Sequence, residues 1–407
     1  MLFLLIQHLQ PWLESVNLWR FCQVFVYQTT FRAVAAIIVA FAIVLLLGKP
    51  VIRWLVRQKI GDNPEFNHAD LNRLTRQKAA TPTMGGALIA AAIFVSAFLL
   101  ADITEFYVQM ALICVVLYAG LGAVDDWLKL TSARRSPGSR DGLRSWEKFV
   151  FQVGWALILG LFIHHHGQVW YNQALASGEL AADAPNMTHI LNLPFQRTWL
   201  PAAEIAQRLP NPDLIQLGPW AFGILTVMVI SGSSNATNLT DGMDGLLSGI
   251  MAIVSFAFLI LCLIAGIEYG SKFLLVPYVA SSAELSIIAG AMVGACAGFL
   301  WYNCHPAQVF MGDTGSLPLG ALIGFIAVVI RQEVLLVLIG GVLVAETLSV
   351  MLQVGYFKLS RGSRLFRCAP IHHHFHLSGW AEGQVVTRFW LITALLAAIA
   401  LATIKLR

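Results

Sequence analysis

The chain has 407 residues, of which 57% are hydrophobic and 12% charged, with a formal net charge of +4. Soluble domains carry about 25% charged residues. Here the shortage runs along the whole length, which excludes a soluble enzyme on a single anchor; because the apolar stretches are continuous rather than alternating, it also argues against a transmembrane barrel. The composition predicts an all-α, polytopic integral membrane protein.

Residues 1–27 have no basic residue before their apolar run and no clear small-residue cleavage site, so they read as an interfacial lead-in rather than a signal peptide. Ten apolar runs follow, at about 28–48, 84–101, 108–124, 149–165, 218–234, 246–266, 284–302, 317–330, 334–356 and 385–404. The eighth is short. Gly and Pro punctuate most junctions. The loops 49–83, 125–148, 235–245, 303–316 and 357–384, with Arg388, hold 18 of the 26 Lys and Arg. The positive-inside rule places this set in the cytoplasm and both termini in the periplasm. The long loop 166–217 then lies outside. The His164–His166 triplet sits at the outer end of a span without companions and reads as interfacial. There is no internal repeat, so residues 1–407 are treated as one membrane domain. The six cysteines form no CxxC pair and read as small apolar fillers.

Unusual polar clusters gather on the predicted cytoplasmic side. In RQKAATPTMGG, Lys78 precedes the second span, either as a ligand contact or as a snorkelling interfacial Lys. In LGAVDDWLKL, Asp125 and Asp126 close the third span. A helix C-terminus disfavours carboxylates. The pair is therefore either neutralised by Lys129 and the basic run up to Lys148, or part of a metal or proton-transfer site. In SNATNLTDGMDGLLSG, Asn235, Asn238, Asp241 and Asp244 recur every third residue, along one drifting helical face, and Gly242 would let a ligand approach the backbone. The alternative is a plain polar turn. In WYNCHPAQVFMGDTGSLPLG, Ser316 before Leu317 and Pro318 looks like a helix N-cap, with Asp313 just ahead of a phosphate-competent helix start. Phe310 is free to stack on a base or to fill the core. Glu346, in VAETLSV, is a lone intramembrane charge, a functional candidate by default that reads here as having a helix-packing or structural partner. In APIHHHFHLSGW, His372, His373 and His374 follow a basic patch, a composition suited to a phosphate-rich ligand; no spacing matches a zinc pattern.

Acidic residues from three loops, with Lys, Arg and His from others, no GxxxxGK loop and no nucleophilic Ser or Cys arrangement, form the inventory of Mg²⁺-dependent phosphate chemistry. Charges collected at one surface disfavour a transporter, which places them near the midplane.

From about Phe31 onward the chain resembles the phospho-N-acetylmuramoyl-pentapeptide transferase family, within the polyprenyl-phosphate hexosamine-1-phosphate transferases. The signatures are TPTMGG, VDDWLK, NATNLTDGMDGL, NCHPAQVFMGDTGSL, VAETLSV and APIHHHFHLSGW. The resemblance implies transfer of phospho-N-acetylmuramoyl-pentapeptide from UDP to undecaprenyl phosphate in the bacterial inner membrane, with no nucleic-acid partner and with a homodimer left open. It implies that Asp313 is the main Mg²⁺ ligand, with Asp125 and Asp126 in the same centre. Asp125 would orient or deprotonate the lipid phosphate. His372 matches the essential His position, with His373 on the nucleotide side and His374 beside it. Lys78, Asn235, Asn238, Asp241, Gly242, Asp244, Asn303 and Phe310 fall at substrate-binding positions, with Phe310 on uracil, and Lys129 faces the pyrophosphate. The departures are Ala79 and Ala80 after Lys78, longer loops at 131–145 and 166–217, and FHLSGW after the His run. They leave the residues between Arg134 and Lys148 without individual roles. A sister activity on N-acetylglucosamine-1-phosphate is the rival.

Overall fold

A computed structural model describes residues 1–57, 81–135, 142–181 and 184–404, and of 132–135 the backbone alone. Lys78 and Arg140 lie outside the described residues, as do the side chains of Arg134 and Arg135. Among the described residues there are helices and no strand, only two isolated bridges, Ile190 with Gln216 and Trp199 with Pro210. The lead-in folds as three short helices, α1 (Leu2–His8), α2 (Gln10–Ser15) and α3 (Trp19–Tyr27). Then come α4 (Thr29–Arg57), α5 (Gly86–Leu100), α6 (Phe106–Arg135), α7 (Ser145–Ala176), α8 (Pro219–Thr240) and α9 (Leu246–Gly266). The rest are α10 (Glu268–Leu274), α11 (Leu285–Asn303), α12 (Asp313–Val329), α13 (Glu333–Ile339), α14 (Gly341–Leu359), α15 (Ile371–Leu377) and α16 (Glu382–Thr403). Seven helices are long and apolar enough to cross a membrane, and α5 and α12 are shorter apolar helices. The architecture is that of a polytopic helical membrane protein.

Each predicted apolar run is met by helix, but the limits of six are corrected. The first runs on to Arg57 and the fifth to Thr240, both into predicted loops. The third does not end at Asp125: α6 continues to Arg135, so the paired carboxylates lie inside a helix and the macrodipole argument does not apply to them. The fourth runs on to Ala176, well into the predicted outer loop. The eighth begins at Asp313, so Ser316 is no N-cap; it lies in the first turn and donates to Gly312 O. The ninth is interrupted at Gly340 between α13 and α14.

Helix α12 is the centre of the bundle. All of its residues are buried, and α6, α8, α5 and α9 pack around it. Its contact with α8 is polar: Ser234 donates to Leu317 O, Thr237 to Ser316 O and Ser233 to Gly320 O. These short hydroxyls draw two helices together where lipid offers no hydrophobic drive to do so. A second tight pair, α4 and α11, meets along Gly290, Gly294 and Gly298. A Cβ on Gly294 would stand 2.0 Å from Ile37 O, so the small-residue stripe sets that spacing.

At the end of α12 remote from Asp313, buried Arg331 donates to Ile190 O and Val328 O, pairs with Glu333 at 2.7 Å and lies over Phe222. Asn192 donates back to Arg331 O. The His triplet has companions after all: His164 stacks on His189 at 3.8 Å and His166 on Phe106 at 4.1 Å. His189 comes from the long loop, which no local pattern connects to the triplet. Its pKa falls to about 4 through burial first and His164 second. The cysteines are free, and Cys114, Cys262 and Cys296 are buried as expected of fillers.

Arg32 grips Glu284 through two bonds, at 2.5 and 2.8 Å, and Glu284 also accepts Asp102 N–H. Removing one member of a buried pair leaves an uncompensated charge, at a cost of about 3–5 kcal/mol. Arg32→Met should therefore lower the melting temperature of the detergent-solubilised protein clearly. An unchanged melting curve would show that the pair carries no net stability.

Candidate active site

The site is built where α6 meets the start of α12. The first N–H groups of a helix have no partner within it. Here the acceptor comes from another helix: Asp126 takes the N–H of Asp313 at 3.2 Å, the N–H of Thr314 at 2.9 Å and the Thr314 hydroxyl at 2.6 Å. The close approach needs Gly122, where a Cβ would lie 2.2 Å from Asp313 O.

Asp125, Asp126 and Asp313 thus converge, all buried, with one carboxylate oxygen of each within 4.8 Å of the others. Lys129 reaches Asp125 at 2.7 Å, Asp313 at 3.3 Å and Asp126 at 3.9 Å. Lys148 reaches Asp125 at 3.1 Å and Asp313 at 3.0 Å. Asp125 also accepts Leu143 N–H at 2.7 Å, which folds the chain after α6 back over the cluster. Among the described residues, three carboxylates face two ammonium groups.

Around this centre Asn238 donates to Asp313 Oδ1 at 2.7 Å and to Ser316. Asp241 accepts Gly312 N–H at 3.2 Å. Its carboxylate keeps some exposed surface but has protein on most sides; that burial, and next the Asp313 charge, push its pKa up to about 7. His372 is fully buried, with Nδ1 3.0 Å from Glu346 Oε2 and Nε2 against Gly242, where a Cβ would lie 2.3 Å away. The His373 ring is 4.1 Å from that of His372.

A second polar clasp closes the 241–245 turn. Asp244 accepts from Ala307 N–H and pairs with His305 Nδ1 at 3.0 Å, while Glu382 accepts Asp244 N–H. Asn303 accepts from Gly245 N–H and Ser248 and donates to Val309 O. Phe310 is half-buried, its backbone paired with Pro82 O and Gly85 N–H, which brings the TPTMGG segment beside the FMGD segment.

Two sequence-selected residues point elsewhere. Asn235 donates to Gln152 and Ser231 O, and His374 accepts Arg367 N–H. Sequence reasoning missed Thr314, Gln152, His305 and Glu382, and left Lys148 without a role. Thr314 was legible as the hydroxyl beside Asp313 in GDTGSL. Glu382 carries no local signal.

Carboxylates clamped by lysines at one end of an apolar bundle fit a membrane-embedded phosphoglycosyl transferase. Comparison agrees: residues 108–331 match glycosyl transferase family 4. The phospho-N-acetylmuramoyl-pentapeptide-transferase of Desulfotalea psychrophila is 40% identical over 383 residues, covering 93% of this chain and 94% of that protein. Those of Desulforapulum autotrophicum and Thermodesulfovibrio yellowstonii are 38% and 37% identical, each covering 100% of both chains. The chain belongs to the phospho-N-acetylmuramoyl-pentapeptide-transferase family.

Gly122→Ala tests whether the α6–α12 approach sets the site. Overpacking of this kind costs about 1–3 kcal/mol. A displacement of about 1 Å can cost about 100-fold in rate. The variant should keep its helical circular dichroism and lose at least about tenfold in turnover. Full activity would show that the backbone contact is dispensable.

Proposed function

We propose that this protein transfers phospho-N-acetylmuramoyl-pentapeptide from its UDP carrier to undecaprenyl phosphate, giving lipid I and UMP, at the cytoplasmic face of the bacterial inner membrane. The observation that carries the reading is the convergence of Asp125, Asp126 and Asp313 on Lys129 and Lys148, in a chain of this family. The orientation follows from the positive-inside bias: ten spans with both termini periplasmic put this cluster inside. The lead-in lies at the interface.

The donor set, three buried carboxylates with an oxygen of each within 4.8 Å of the others, fits Mg²⁺, which prefers carboxylate and phosphate oxygens. When bound, the ion would be held by Asp313 with Asp125 and Asp126, and it neutralises charge shared with the substrate phosphates. Like charges 4 Å apart repel by about 4 kcal/mol at an effective dielectric of 20. Two phosphate esters cannot meet without that compensation, and Lys129 and Lys148 supply the rest of it. Lys129 faces the pyrophosphate. Asp125 holds the lipid phosphate's proton or orients its oxygen for attack on the sugar-side phosphorus. Asp126 also caps α12, which holds Asp313 in place beside it.

The uridine lies over the 241–245 turn and Phe310, with Asp241, Gly242, Asp244 and Asn303 shaping that wall and His372 and His373 at its edge. Asn238 steadies Asp313. Lys78 completes the nucleotide side on family grounds. Asn235 supports this wall through Gln152 and α8 rather than from the cluster.

The decisive assay is UMP release from the muramoyl-pentapeptide donor, with and without Mg²⁺ and lipid acceptor. Turnover with UDP-N-acetylglucosamine alone would transfer the assignment to the sister activity. Asp313→Asn should abolish turnover while leaving the melting temperature within a few degrees; near-normal activity at saturating Mg²⁺ would overturn its role.

A further inference from the structure

Glu346 and His372 are both fully buried, on α14 and α15, and their side chains meet at 3.0 Å through Glu346 Oε2 and His372 Nδ1. Among the described residues, neither His372 Nε2 nor Glu346 Oε1 has a hydrogen-bond partner. The unpartnered Nε2 is aimed at Gly242, in the turn whose Asp241 joins Gly312 and so the start of α12. A buried imidazole nitrogen without a partner is costly in a purely structural role, because the polar group is desolvated for nothing. A carboxylate on Nδ1 fixes the other nitrogen as a bare acceptor.

We infer that Glu346 is a positioning residue: it holds His372 in the Nδ1–H tautomer with its Nε2 lone pair turned to the 241–244 turn, ready to accept a proton or hydrogen bond from bound substrate. The inference rests on the proposed transferase reading and deepens it. Glu346 touches no substrate and acts through His372. The absence of a side chain at Gly242 is part of the device, since any Cβ there would displace the ring.

The test uses the full-length enzyme in detergent, with three readouts: UMP release, melting temperature, and the ¹⁵N shifts of His372, identified by comparison with His372→Gln. Glu346→Leu removes every acceptor for Nδ1–H. It should lower kcat by at least about 10-fold, since losing an orienting partner costs about 10–100-fold at metal-bound histidines and about 10⁴-fold in a catalytic triad, with the KM for donor within twofold and His372 moved to the Nε2–H tautomer. Glu346→Gln preserves shape, and its amide can present either oxygen or nitrogen to the ring. Its kcat should follow whichever tautomer the spectrum shows, and it carries the test alone if Glu346→Leu does not fold. Full activity in Glu346→Leu, or lost activity in a variant that keeps the Nδ1–H signature, overturns the inference. A fully active His372→Gln would overturn the role of His372 itself, and no UMP release from the unaltered enzyme would overturn the transferase reading.

Discussion

The structure turns on how one helix begins. Helix α12 starts inside protein, where no water can satisfy its first N–H groups, and Asp126 supplies the acceptors. Neighbouring residues on a helix point about 100° apart. With Asp126 committed to the cap, Asp125 faces the lysines instead. The adjacent carboxylates are therefore not equivalent: one is spent on architecture, the other faces the charge that chemistry needs. Asp313, first residue of the capped helix, is delivered to the same point as a consequence of the cap.

The surroundings extend this logic outward. Hydroxyls of α8 bond to carbonyls of α12, Asn238 braces Asp313, and Asp241 takes the N–H of Gly312. Polar side chains that look like a substrate-binding row in the sequence spend much of their capacity on holding the acidic centre. Asn303 does the same for the 241–245 turn, its oxygen accepting from Gly245 and Ser248 and its amide donating to Val309 O.

Much of this was legible from composition and order. Apolar runs located the helices, and their charged junctions located the cluster, because burying charge in lipid is so unfavourable that exceptions stand out. What stayed hidden depends on partners far along the chain. Asp126 is 187 residues from the N–H of Asp313, so the local pattern around Ser316 suggested a cap that another helix provides. The extension of α6 past Asp126 is polar, and hydropathy stops where the helix does not. His164 found His189, and Glu346 found His372, through tertiary contact alone. Family resemblance supplied the importance of His372; only the geometry shows what holds its ring.

All of helix α12 is buried, and its far end is sealed by Arg331 with Ile190 and Asn192. A helix that meets no acyl chains is released from the rule that a span must match bilayer thickness. Its 17 residues, roughly 25 Å at 1.5 Å each, measure instead the gap between two anchorages. With Asp313 at one tip and Arg331 just past the other, the polar groups at both ends of this segment are met by protein rather than by lipid.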